Sequence, residues 1–154
     1  MGIRYHRASI AFQRREISKR LADYVATNKL PRRKYLEEMA SSKIVISPFG
    51  FGEITLKDFE VFLTGGLLLK PDMGHLDTWP DLFRVGETMA VHDWDLTDLI
   101  GVIDGILEDY GRARDLAENG QALYRRHICG PEAAELFCTH FLHIVKPSAS
   151  TAAA

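Results

Sequence analysis

Residues 47 to 60, SPFGFGEITLKDFE, place the groups that ligand chemistry uses at close spacing. Gly50 and Gly52 let the backbone approach a ligand and reach positive φ, and Thr55 opens a helical pattern. A glycine loop feeding a helix start offers unpaired N–H groups and the positive end of a helix dipole, which is phosphate-binding chemistry. Glu53, Asp58 and Glu60 surround Lys57. A carboxylate has two acceptor oxygens, a match for the two donors of a vicinal diol such as that of ribose. The stretch is neither a Walker motif nor a GxGxxG fingerprint. Its spacing also admits a structural reading, with Glu53 favouring the helix dipole, Asp58 capping and Glu60 solvated beside Lys57.

The elements that must position this loop follow from periodicity. Gln13 to Asn28 carries Ile17, Leu21, Tyr24 and Val25 at helical spacing, and RRKYLEEMASS after Pro31 predicts a short helix with Tyr35, Leu36 and Met39 inward. KIVIS reads as a buried parallel strand. Thr55 and Asp58 form a variant capping box for a helix whose apolar face is Leu56, Phe59, Phe62 and Leu63, with Gly65 as its C-cap. GLLLKP is a second strand, so residues 43 to 71 read as a βαβ unit. HLDTWPDLF is a connector, ETMAVHDW a third strand, and Asp95 a cap for a helix over LTDLIGVIDGILEDYG. Two more helices are expected over about 112 to 127 and 131 to 145. Helices around three central strands predict an α/β, Rossmann-like parallel sheet with flanking helices.

Composition sets the frame. The chain has 154 residues, 46% apolar and 26% charged, enough for one real core. No apolar run reaches the roughly 18 residues that a membrane span needs, which favours a cytoplasmic protein. MGIRYH starts like a myristoylation signal but carries His6 where Ser or Thr is required. Residues 1 to 43 hold 11 Lys or Arg against 4 Asp or Glu, and residues 44 to 154 hold 8 against 17. The basic segment either attracts the acidic body, is solvated, or meets a phosphate-bearing ligand. Nucleic acid is not expected as a partner, because no motif that reads bases accompanies the charge.

Other polar residues carry weaker signals. His75, His92, Asp93 and Asp95 fit no metal-ligand spacing, so no metal is expected. Asp72 follows a strand and either faces the ligand or begins a turn. Cys129 and Cys138 read as reduced core thiols, Trp79 and Trp94 as core packing, and His140 and His143 as packing or surface residues.

From Ser42 to Leu99 the sequence resembles the C-terminal donor-binding part of GT-B glycosyltransferases of the "glycosyl transferases group 1" type, with coverage from about residue 31 to 126. The parts that carry the resemblance are the strand Ile44 to Ser47, the loop Gly50 to Gly52, Glu60, Gly65 five residues on, and the strand Leu67 to Leu69. Where many retaining members have a first Glu, eight residues before Glu60, this sequence has Gly52, with Glu53 adjacent. The resemblance implies an incomplete GT-B C-terminal half. Residues 1–30 would be a basic helical segment, 31–146 the nucleotide-sugar-binding domain and 147–154 a disordered tail. It further implies transfer of a sugar from a nucleotide-diphosphate sugar, with no other cofactor, once an N-terminal domain or partner chain completes the cleft. Donor contacts would come from Gly50, Phe51, Gly52, Glu53, Ile54, Thr55, Asp58 and Glu60, and diphosphate contacts from Arg14, Arg15 and Lys57. The alternative is a non-catalytic relative that binds a nucleotide sugar or a partner chain.

Overall fold

A computed structural model of the protein describes residues 8–146. The expected tail and the lipidation-like start lie outside the described residues. The elements are α1 (Ala8–Arg20), α2 (Arg32–Ser41), β1 (Ile44–Ile46), α3 (Leu56–Thr64), β2 (Leu67–Lys70), β3 (Met89–Val91), α4 (Leu99–Glu108), α5 (Tyr110–Tyr124), a π-helical turn (Arg125–Cys129) and α6 (Ala133–Val145). The fold is mixed α/β: one small parallel sheet in the order β1-β2-β3, with helices flanking it. Among the described residues no helix is long and apolar enough to cross a membrane.

The strands are short, but the middle one is covered on both faces, which is why it reads as a continuous apolar run. Leu67, Leu68, Leu69 and Lys70 are all fully buried. Period-two alternation divides them. Leu68 joins Val45 and Met89 in a cluster with Met39 of α2, Val61 and Phe62 of α3, and Met73, Leu82 and Phe83 of the β2–β3 connector. Leu69 packs on the other face with Ile17 and Leu21 from the α1 region and Leu96 and Leu99 around the start of α4. Leu67 meets Ala113 and Ala117 of α5. Each buried leucine contributes about 1.5–3 kcal/mol relative to exposure.

Several boundaries and faces differ from the periodicity. The first helix ends at Arg20 rather than Asn28: Leu21 is still buried, but Tyr24 and Val25 beyond it are exposed and add no burial to hold a further helical turn. On α3, Leu56 and Leu63 face solvent while Asp58, Val61 and Phe62 are buried. A buried carboxylate therefore sets the rotation of this helix. Asp95 does not cap α4: it accepts from the Thr97 N–H at 3.0 Å, and Asp98 occupies the N-cap position. Between them Leu96 takes φ 65° and inserts into the core, which breaks any earlier start. Cys129, Cys138 and Trp94 are exposed rather than core residues.

Gly120 in α5 shows how closely the helix layer packs. A Cβ there would lie 2.9 Å from the Phe62 ring and 2.9 Å from the Thr88 carbonyl oxygen, whereas nothing lies within 4 Å of one at Gly105 in α4. Helix propensity favours alanine at both by about 1 kcal/mol. Gly120→Ala should nevertheless destabilise the fold by about 1–3 kcal/mol, and Gly105→Ala should stabilise it by about 0.5–1 kcal/mol. Urea denaturation of the two variants checks this; a shared sign would refute the packing argument.

Candidate functional site

The loop between β1 and α3 leaves the carboxyl edge of the sheet, the place where open parallel sheets hold ligands. The Ser47 N–H extends the ladder to the Leu69 carbonyl at 2.9 Å. The chain then turns, with the Gly50 N–H donating to the Gly52 carbonyl at 3.0 Å. Neither glycine needs positive φ: among the described glycines only Gly65 and Gly86 have it. Gly50 matters through close approach instead. A Cβ there would lie 3.3 Å from the Thr55 Cγ2 and 3.8 Å from a guanidinium nitrogen of Arg14, while Gly52 has open space around it.

Three elements hold the loop from outside. From α1, the Gln13 Oε1 accepts from the Phe49 N–H at 3.1 Å, which docks the helix on the loop and brings the neighbouring Arg14 over Gly50. The Phe49 ring meets Trp94 edge-on at 4.3 Å. From β2, the Lys70 Nζ donates to the Glu53 carbonyl at 2.7 Å and to the Asp58 Oδ2 at 2.8 Å. Asp58 in turn accepts from the Thr55 N–H at 2.8 Å and completes the capping box. Both members of the Lys70–Asp58 pair are fully buried. Burial holds the Lys70 ammonium below the ordinary lysine range, partly offset by Asp58 beside it.

Lys57 approaches from below. Its Nζ donates to the Ile46 carbonyl at 2.7 Å, at the end of β1. Burial first, and the nearby Arg14 charge second, lower its pKa from 10.5 to about 8. Glu60, a turn further along α3, accepts from Arg32 at 2.5 Å and from the Tyr35 hydroxyl at 3.2 Å. Tyr35 titrates well above the usual tyrosine range because it is half-buried and faces Glu60.

The structure thus groups Arg14, Lys57, Glu60 and the loop residues Gly50 to Thr55. Arg15, the next residue along α1, is exposed. Phe51 and Ile54 are exposed on the loop, while Asp58 is wholly internal and offers a ligand no surface. Glu53 is half-exposed, 4.0 Å from His75. Asp72 accepts from the Gly74 N–H at 2.8 Å and forms a turn. Lys70, Gln13, Arg32 and Tyr35 were not indicated by the motif. The one sequence signal among them is a lysine closing an otherwise apolar strand, LLLK. His92, just after β3, is buried, its Nδ1 2.8 Å from the Asp93 carbonyl and its pKa lowered chiefly by burial. Among the described residues no three His, Cys, Asp or Glu side chains cluster as a metal site would need.

A cleft of about 630 Å³ lies elsewhere, between Trp79 and α6, lined also by Glu132, Glu135 and His140. Trp79 stacks on His140 at 4.6 Å there, so the indole face is already covered. The loop remains the better candidate because it alone combines a sheet edge, a helix start and converging cations. Comparison with family models, curated proteins and solved structures finds no match for the chain.

The buried pair makes a stability prediction. Lys70→Met strands the Asp58 charge and should cost about 3–5 kcal/mol. Adding Asp58→Asn, which still accepts from the Thr55 N–H, should restore at least half of the loss in denaturant titrations.

Lys57 makes a pH prediction. Its folded pKa lies below its unfolded one, so between pH 8 and 10.5 the unfolded chain holds a proton that the folded chain has released. Stability then rises with pH through that window, by up to about 3 kcal/mol. Tyr35 acts in the opposite direction above about pH 10, because its folded pKa is raised. Melting curves from pH 7.5 to 9.5 should therefore climb, and Lys57→Met should flatten the climb.

Proposed function

We propose that the β1–α3 loop binds the diphosphate of a nucleotide-diphosphate sugar and that the chain is the donor-binding part of a GT-B glycosyltransferase. The observation that carries this reading is the approach of Arg14 to the Gly50 loop and of Lys57 to the end of β1 just before it, near enough to act on each other, at the carboxyl edge of a parallel sheet. Burial first and the nearby Arg14 charge second make Lys57 give up its proton more readily there. A diphosphate relieves that repulsion, and the backbone of the glycine loop and the start of α3 add dipoles of the right sign.

Glu60 lies one turn into α3, where a ribose diol would extend from the diphosphate. Its carboxylate is engaged by Arg32, but that guanidinium is two-thirds exposed and can move aside at modest cost. Glycosyl transfer itself would draw its acceptor groups, and any catalytic base, from an N-terminal domain or partner chain across the loop.

Calorimetric titration of the chain with uridine and guanosine diphosphates, with and without an attached sugar, tests the proposal. Binding is expected in the micromolar to millimolar range. Arg14→Ala and Glu60→Gln should each weaken it about 10-fold to 150-fold, the loss of one charge-assisted hydrogen bond. Affinity should fall as pH rises from 7 to 9, since the anion prefers charged Lys57, and this is opposite in sign to the stability change. Absence of binding at millimolar ligand to folded chain would overturn the proposal.

A further inference from the structure

We infer that His75, on the β2–β3 connector, belongs to the same site and together with Glu53 contacts the hydroxyl-bearing sugar beyond the diphosphate. This inference rests on the nucleotide-sugar reading and adds a residue that no motif in the loop indicates.

Two independent anchors bring the pair together. Glu53 is fixed from the inside: the buried Lys70 holds its carbonyl at 2.7 Å, so the loop tip cannot drift while the Lys70–Asp58 pair is intact. His75 is fixed by the turn before it, in which Asp72 Oδ1 accepts from the Gly74 N–H at 2.8 Å, and by Met73, fully buried in the core two residues earlier. The two side chains reach toward each other from different segments, and each stays about half-exposed, His75 at 51% and Glu53 at 45%.

Their separation indicates what they recognise. His75 Nε2 and Glu53 Oε1 stand 4.0 Å apart, too far for a hydrogen bond to each other. An oxygen set to one side can lie about 2.8 Å from both. A hydroxyl suits that position, because it donates to the carboxylate and accepts from an imidazole N–H at once. A phosphate does not, since Glu53 would repel it. The pair therefore fits the sugar end of the ligand and not its diphosphate.

The experiment compares affinity for the nucleotide diphosphate with affinity for its sugar-bearing form, by calorimetry, in wild type, His75→Ala, His75→Gln and Glu53→Gln. Both positions are half-exposed, so denaturation midpoints should stay unchanged and serve as the control for folding. Wild type should prefer the sugar-bearing form. His75→Ala and Glu53→Gln should each reduce that preference about 5-fold to 10-fold while leaving affinity for the bare nucleotide unchanged. His75→Gln, which keeps a donor, should retain part of it. The double variant should lose little more than either single one, because both groups serve one hydroxyl. If nucleotide binds but the preference ignores His75, or if His75→Ala weakens bare nucleotide equally, the inference is overturned and the functional proposal stands. If neither form binds, the proposal falls and this inference with it.

Discussion

The Lys70–Asp58 ion pair is the constraint on which the arrangement depends. A lysine at the carboxyl end of the central strand is fully buried, and its ammonium reaches a carboxylate in the first turn of α3 and a carbonyl in the loop before it. Isolated burial of either charge would be prohibitive, and even the pair is weak evidence of net stabilisation. What the pair provides is geometry. It locks strand end, helix start and loop into one body, and the Phe49 and Phe83 rings, both 5.1 Å from the ammonium, close the surroundings.

The pair also bears on how the proposed anion site could coexist with a carboxylate at the same helix start. Asp58 caps α3 and would by itself cancel the positive end of the dipole. Lys70 neutralises it from the buried side, so the unit as a whole carries no net charge toward the loop. At the proposed site the field would then come from Arg14 and Lys57, both outside the pair. Arg14 comes from α1, held there by the Gln13 contact with the Phe49 amide and by Ile17 in the core. The basic segment at the start of the chain thus contributes to the site through packing as well as charge.

The strand, loop, helix and strand of the βαβ unit were legible in the sequence because each has a local signature. KIVIS and GLLLKP change the hydrophobic period, Thr55 and Asp58 form the capping box, and Gly65 ends α3 at φ 82°. The site was legible only as a location. Its defining contacts join residues far apart in the chain: Gln13 with Phe49, Arg32 with Glu60, Lys70 with Glu53. Local pattern carries no information about such pairs. The outward turn of Leu56 and Leu63 has the same origin, while Phe59 and Phe62 pack inward as expected. Counting Leu56 and Leu63 as inward is sound for an isolated amphipathic helix, but the partner of Asp58 lies on a strand, and satisfying a buried charge outweighs covering two leucines.

Glu60 shows how such distant contacts shape chemistry. Left unpartnered beside the loop, its carboxylate would repel an incoming diphosphate. Arg32 and Tyr35 compensate it, and Arg32 does so from an exposed position at the start of α2. The guanidinium is two-thirds exposed while the Glu60 carboxylate is largely covered, so in the proposed complex two ribose hydroxyls would have to take over the donor role that Arg32 now fills. On the proposed reading the displaced arginine would stay at the edge of the site and add positive charge there. Residues 32 and 35 therefore shape the surroundings of Glu60, although nothing in their own sequence neighbourhood marks them.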